Sequence, residues 1–275
     1  VPHRTVDIEI QLLLEAIFRK YHYDFRGYSM ASVKRRLTQA CIHFGCESFT
    51  LLQDKVLHDT SILPMLLNFM TVQVSEMFRD PQYFLALRKE VIPHLRTYPS
   101  LKIWIAGCSS GEEVYSMAIL LREEGLYDRS MIYATDINMD ALQKARAGIY
   151  ELDRIKLFSE NYQKSGGKSS LSDYFVADYG AAAFDKTLTD RVAFSDHSLV
   201  SDSVFGEMQL VSCRNVLIYF DRDLQDRAVG LFKDSLSYNG FLGLGSKESL
   251  RFNAHTNSFI EFSRDNRIYQ KKGVT

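Results

Sequence analysis

Two glycines and the acids around them mark where this chain can do chemistry. The apolar run Ile103-Trp104-Ile105-Ala106 ends in Gly107-Cys108-Ser109-Ser110-Gly111, and Glu112-Glu113 follows at once. A second apolar run, Met131-Ile132-Tyr133-Ala134, ends at Thr135-Asp136. The pattern reads as a strand, a tight glycine turn and a helix N-terminus, then a second strand tipped by a carboxylate. Gly107 and Gly111 let backbone approach a ligand, and Asp136 can accept hydrogen bonds from ribose hydroxyls, so the arrangement suits an adenosine-containing cofactor. The spacing is not the G-x-G-x-x-G of dinucleotide sites. No Lys-Ser/Thr follows the second glycine, which argues against a triphosphate loop. Two readings remain: a loop for S-adenosylmethionine (SAM), or a strand-to-helix turn with structural meaning only. On the second reading Glu112 and Glu113 complement the helix dipole and Asp136 caps the next helix.

The elements that must position these groups are legible as a change of texture near Pro81. Before it, apolar residues recur at Ile10, Leu13, Leu14, Ile17 and Phe18, then at Val33, Leu37, Ala40, Cys41 and Phe44, a period near 3.6 that predicts helices. Ser29 is a candidate N-cap and Gly45 a candidate stop for the second of these. Two short helices are expected around 49–52 and 62–67, with Pro64 in a first turn. After Pro81 short apolar runs at 103–106, 131–135, 192–195, 208–213 and 241–245 alternate with helical segments, which predicts a mostly parallel sheet covered on both faces. Runs at 259–262 and 267–270 suit an antiparallel edge hairpin. The stretch 157–191 breaks the alternation: it is polar, with a mobile loop expected at Ser165-Gly166-Gly167-Lys168-Ser169-Ser170 and short strands at 174–176 and 187–188.

Composition bounds the function classes. The 275 residues carry 33 Lys and Arg against 34 Asp and Glu, a formal net charge of −1, which argues against bulk attraction to nucleic acid or anionic membrane. No apolar stretch approaches the roughly 18 residues of a membrane span, so membrane insertion is not expected. Cys41, Cys46, Cys108 and Cys213 form no C-x-x-C pair, and reduced thiols of a cytoplasmic protein without a metal are the expectation.

Three further segments carry more specific information. They are Thr71-Val72-Gln73-Val74-Ser75-Glu76-Met77-Phe78-Arg79-Asp80-Pro81, Val192-Ala193-Phe194-Ser195-Asp196-His197-Ser198-Leu199, and Val211-Ser212-Cys213-Arg214-Asn215-Val216-Leu217-Ile218-Tyr219-Phe220-Asp221. Together with the glycine loop they closely resemble the CheR family of bacterial chemotaxis receptor methyltransferases, over essentially the whole chain. The resemblance implies an α/β, Rossmann-like SAM-dependent methyltransferase domain with a small antiparallel β insertion, preceded by an all-α domain. The corresponding boundaries are 1–70 for the helical domain, 71–81 for a linker that enters the active site, 82–275 for the methyltransferase domain, and about 157–191 for the insertion.

The same resemblance implies the activity: methyl transfer from SAM to glutamate side chains on receptor signalling helices, leaving S-adenosylhomocysteine (SAH). It places Arg79 near the transferred methyl and Tyr219 beside the reacting centre. It assigns cofactor contacts to Ser75, Gly107, Gly111, Glu112, Asp136, Arg214 and Asn215. Gln73 stands where an asparagine is common, and Ser198-Leu199 matches an Asn-Leu pair near the adenine. The basic run Lys34-Arg35-Arg36 is by itself most simply a solvated face, but it corresponds to a basic helix facing the receptor, so Arg35 and Arg36 are expected to steer receptor helices toward the site. In the insertion, Asp178-Tyr179-Gly180-Ala181 lacks the paired glycines of members that bind a receptor's C-terminal pentapeptide, and pentapeptide-independent docking is expected. A monomer is the default. The competing functions are methyl transfer to another acceptor, and a signalling module that binds SAM or SAH without turnover.

Overall fold

The structure is a computed structural model that describes residues 2–71 and 75–273. Gln73 lies outside the described residues. Four helices open the chain: α1 (Pro2–Tyr21), α2 (Met30–Phe44), α3 (Phe49–His58) and α4 (Ile62–Met70). Their apolar stripes close one core in which Ile10, Leu13 and Ile17 meet Val33, Leu37, Leu52, Val56 and Met70. Gly45 ends α2 at φ +62°, the left-handed geometry a non-glycine residue adopts only under strain. Ser29 precedes α2, but its side chain makes no cap hydrogen bond. Its backbone N–H donates instead to the carbonyl of Tyr219 at 2.9 Å, so the start of α2 is fixed by the other domain.

The helix pair α5 (Pro81–Ala86) and α6 (Ile92–Leu95), joined by a π-helical turn over Leu87–Val91, leads into the α/β part. That part runs β1 (Leu101–Ala106), α7 (Glu112–Glu123), β2 (Ser130–Asp136), α8 (Met139–Ala147), β3 (Ile149–Glu151), α9 (Leu152–Lys164), β4 (Phe175–Asp178), β5 (Ala181–Phe184), β6 (Val192–Asp196), β7 (Met208–Cys213), α10 (Arg222–Ser235), β8 (Leu236–Leu244), β9 (Phe259–Ser263) and β10 (Ile268–Lys271). The main sheet has the order β6-β2-β1-β7-β8-β10-β9. Its first five strands are parallel, and β10 and β9 add an antiparallel edge. From β1 the chain winds outward through β2 to β6, then returns to β7 on the other side of β1. Such a reversal opens a crevice at the carboxyl ends of the central strands, where ligands of open α/β sheets bind.

The insertion differs from its sequence-based outline. A three-stranded antiparallel sheet of order β3-β5-β4 begins at Ile149, and α9 fills most of the stretch that reads as irregular. Ile155, Phe158 and Tyr162 supply the buried face of α9. Thr187 and Leu188 lie in a 3₁₀ turn rather than a strand, because the Asp185 carboxylate accepts from the Thr187 N–H at 2.9 Å and Leu188 is fully buried. The serine-glycine loop is anchored at its start, where Ser165 is buried and its carbonyl accepts from Arg88 Nε at 3.1 Å, while Gly166, Lys168, Ser169 and Ser170 are exposed. Among the described residues no helix is long and apolar enough to cross a membrane.

Candidate functional site

The carboxyl ends of β1, β2 and β7 open into a cleft of about 930 Å³, counting its open mouth. Gly107 and Cys108 both donate their N–H groups to the Thr135 carbonyl, at 2.8 and 2.9 Å, which ties the glycine loop to the end of β2. Gly107 sits at φ +75°, and a Cβ there would lie 2.5 Å from a Val216 methyl. Gly111 sits at φ +93°, and a Cβ would meet the Ala145 backbone at 2.8 Å. Gly107 therefore lets the loop close over the cleft, while Gly111 lets α7 start against α8 without lining the cleft itself.

The acids divide their work in a way the sequence does not reveal. Glu112 is fully buried away from the cleft, where its carboxylate accepts from Arg154 Nη2 at 2.8 Å and from Ser110 Oγ at 2.7 Å. Arg154 also donates to the Ser75 carbonyl, so Glu112 joins the loop, the insertion helix and the linker. Glu113 is the acid of α7 that lines the cleft. Asp136, at the end of β2, accepts from the Ser109 N–H at 2.8 Å and the Asn138 N–H at 2.9 Å. Burial still pushes its pKa above the usual 3.8. A carboxylate has about four acceptor sites, so Asp136 keeps capacity for hydroxyl donors in the cleft. Asn138 caps α8 in its place, and its Nδ2 reaches Asn68 and Thr71, each at 2.9 Å. These contacts hold the helical domain over the site.

Ser198 and Leu199 line the cleft beyond β6. Ser198 Oγ accepts from the N–H groups of Val200 and Ser201, at 3.2 and 3.3 Å, so it shapes its own turn, and buried Leu199 gives an apolar wall. His197, which the sequence reading leaves unassigned, also lines the cleft. Its Nε2 lies 3.2 Å from the Ser203 carbonyl, its ring meets Trp104 edge-on, and its buried Nδ1 has no partner among the described residues.

At the end of β7, Arg214 is a strut. It donates to Glu113 at 3.1 Å, to Asp80 at 2.8 Å and to the Arg79 carbonyl at 2.8 Å, with its guanidinium 4.2 Å from the centre of the Tyr83 ring. Both Nη atoms of Arg214 thus serve protein partners that fix the linker, while the residue lines the cleft and its buried Nε has no hydrogen-bond partner among the described residues. Phe78 and Asp80 flank Arg79 at φ +51° and +54°, strained conformations held by burial of Phe78 and by a 2.8 Å bond from its N–H to Ser116 Oγ. The sequence reading also misses Glu248. This buried acid accepts from the N–H groups of Gly245, Asn215 and Ile218, at 2.6, 2.9 and 3.2 Å, and so fixes Asn215 at φ +61° and the turn carrying Tyr219. Burial raises its pKa above 4.5.

Ser75, Arg79, Asn215 and Tyr219 all line the cleft. Arg35 is exposed. Arg36 is not part of a solvated face: it is 3% exposed and lines the cleft, with its guanidinium carbon 4.3 Å from the centre of the Tyr219 ring. It faces inward because it shares the buried stripe of α2 with Val33, Leu37 and Ala40.

All four cysteines are buried and free, and burial pushes the Cys108 and Cys213 thiols well above their usual range, which disfavours their thiolate forms. Among the described residues no group of three or more His, Cys, Asp or Glu is arranged to hold a metal ion.

Comparison with known proteins places this geometry. Residues 73–267 match the SAM-binding domain of CheR methyltransferases, and residues 8–71 match the all-alpha domain of the same enzymes. A Pseudomonas putida protein named "Putative methyltransferase Cher3" is 57% identical, over 98% of both chains. The chemotaxis protein methyltransferase of Listeria innocua is 29% identical, over 82% of this chain and 84% of that one. Chemotaxis protein methyltransferase 1 of Vibrio cholerae is 30% identical, over 79% and 80% respectively. With both family domains matched in order around one cleft, the chain belongs to the CheR methyltransferase family.

Proposed function

We propose that this SAM-dependent methyltransferase esterifies glutamate side chains on the cytoplasmic helices of chemotaxis receptors. The observation that carries the reading is the convergence on one cleft of a nucleoside-facing half, Gly107 and Asp136, with a polar half, Arg79 and Tyr219. Bound there, SAM supplies an electrophilic methyl on a sulfonium sulfur, and transfer to a carboxylate leaves SAH and a methyl ester without moving a proton. Asp136 would hold the ribose hydroxyls, Leu199 and His197 would border the adenine, and the backbone of Gly107–Ser109 with Ser75 and Asn215 would hold the amino-acid end. Glu112 and Gly111 act behind the loop by holding its shape.

A glutamate side chain, with a reference pKa of about 4.3, arrives ionised at neutral pH, so the protein has no base to provide. Its task is alignment and exclusion of water, which in favourable cases removes several kcal/mol from a barrier. Arg79 and Tyr219 orient the reacting oxygen. The linker at 71–81 joins the helical domain to the catalytic one, which explains why Arg79 is held between two strained residues rather than on a free hinge. Docking is pentapeptide-independent in this reading, since the β4–β5 turn has one glycine, Gly180, beside a fully exposed Tyr179.

Transfer of a tritiated methyl from SAM to receptor-containing membranes tests the proposal. Label released as methanol by mild base supports it, because carboxyl methyl esters hydrolyse there and methylated amines do not. Label that resists base, or none with the cofactor bound, contradicts it.

A further inference from the structure

Two thiols that the proposed mechanism does not use meet at the end of α2. Cys41 and Cys46 are both buried and free. Gly45 takes the left-handed turn that stops the helix. The Cys46 N–H then donates to the Cys41 carbonyl at 2.8 Å, and the Gly45 N–H to the Ile42 carbonyl at 3.3 Å. In this pattern of nested bonds the residue after the glycine folds its side chain back over the residue that opens the last turn, so Cys46 lies against Cys41. The 2.8 Å bond and standard bond lengths confine the two Cα atoms to within about 6.7 Å of each other. Disulfides span about 4.4–6.8 Å between Cα atoms.

The sulfurs are held together without a strong partner for either. Cys41 Sγ lies 3.8 Å from the Ser48 carbonyl and Cys46 Sγ lies 3.7 Å from the Phe44 carbonyl, contacts of a weak donor that cost little to give up. Burial pushes the Cys41 thiol up to about 11, and repulsion from an ionised Cys46 and from Glu9 adds to the rise, which places Cys46 within electrostatic reach of Cys41. The other two cysteines are the contrast: Cys108 and Cys213 belong to separate apolar cores of the α/β part, so the fold does not pair them.

We propose that Cys41 and Cys46 form a dithiol site that a hydroperoxide oxidises to a disulfide and a small thiol resets. Burial disfavours the Cys41 thiolate, which assigns the first attack to Cys46. The Cys46 sulfur takes one oxygen of the hydroperoxide, the O–O bond breaks, and the other oxygen leaves with the thiol proton as water or an alcohol. The Cys41 sulfur then displaces the hydroxyl of the Cys46 sulfenic acid, and its own proton leaves with that hydroxyl as water. The two thiols lose two electrons and the hydroperoxide gains them. The new bond closes a loop the native turn already closes. It pins the end of α2 beside Ser48, the N-cap of α3, while the start of α2 stays bonded to Tyr219 through Ser29.

The full chain is treated with hydrogen peroxide, the remaining thiols are alkylated, and the peptides are mapped by mass spectrometry with and without reduction by dithiothreitol. The expected result is the loss of two hydrogens per chain, a Cys41–Cys46 link within one chain, alkylated Cys108 and Cys213, and full reversal by dithiothreitol. The oxidised chain should melt about 3–6 °C above the reduced one. Neither Cys41→Ser nor Cys46→Ser should show the loss of hydrogens or the rise in melting temperature. The wild-type map decides the pairing even if a serine variant folds poorly. Free Cys41 and Cys46 after peroxide, a link between chains, or a link that uses Cys108 or Cys213 overturns the inference. So does an oxidised chain that melts below the reduced one, because the native turn would then not accommodate the bond.

Discussion

The two walls of the cleft are built on different terms. On the α/β wall the charged groups are answered before any ligand enters: Arg214 by Glu113 and Asp80, Glu112 by Arg154, Glu248 by a cluster of backbone donors, and Asp136 by two of them. On the helical wall Arg36 keeps Nε and Nη2 unpaired. A wall that always meets the same cofactor can be fixed in advance, and fixing it lowers the ordering cost of binding. On the proposed function, the helical wall meets an acceptor side chain, and an unpaired buried charge there disfavours any guest that cannot satisfy it.

The α/β wall is most sensitive at Gly111. Gly111→Val places side-chain atoms against the Ala145 backbone at a positive φ, and should cost about 3–5 kcal/mol of stability in urea unfolding along with SAH binding. A variant as stable as wild type would show that α7 need not start so close to α8.

Asp136→Asn comes next, with a loss of about 2 kcal/mol in SAH binding by calorimetry. The pH dependence follows from the raised pKa of Asp136. Ribose donors favour the ionised carboxylate, so wild-type affinity should fall as pH drops through that raised value, above 3.8, and the asparagine variant should lack this acidic limb. An identical acidic limb in both proteins would remove Asp136 from the ribose site.

Glu248→Gln keeps the shape of the acid but leaves one acceptor oxygen in place of two, so at least one backbone donor faces an amide NH2, for a stability loss of about 1–2 kcal/mol. Transfer should slow through the displaced Tyr219 turn while SAH affinity holds. If SAH affinity falls as much as transfer does, the turn belongs to the cofactor wall instead. Arg35→Glu is the smallest perturbation: a change of about threefold in kcat/KM at low salt that disappears as ionic strength rises, since an exposed charge steers rather than binds.

Much of the α/β wall is legible in the sequence because it is made of contiguous signals. A glycine turn after an apolar run and an acid ending the next run locate the ends of β1 and β2, and 208–213 gives β7 to the residue. What escapes is orientation and distance along the chain. Glu112 and Glu113 are neighbours in one helical turn, and about 100° of rotation decides which is buried against Arg154 and which faces the cleft. The same rotation separates exposed Arg35 from buried Arg36. A signal for Arg36 does exist, because Val33, Arg36, Leu37 and Ala40 follow the i, i+3, i+4, i+7 pattern of a buried face. Glu248 lies 33 residues from Asn215 and 30 from Ile218, and only the fold brings it beneath the turn that carries Tyr219. Helix α9 hides behind its polar face: Ile155, Phe158 and Tyr162 are too few to stand out beside a serine-glycine loop.

The division of the cleft into a prepared wall and a waiting wall is tested most directly by one calorimetric comparison, SAH titrated into Asp136→Asn and Arg36→Gln side by side with wild type. The account predicts a large loss of affinity in the first and none in the second. Equal losses in both, or a loss confined to Arg36→Gln, would contradict it.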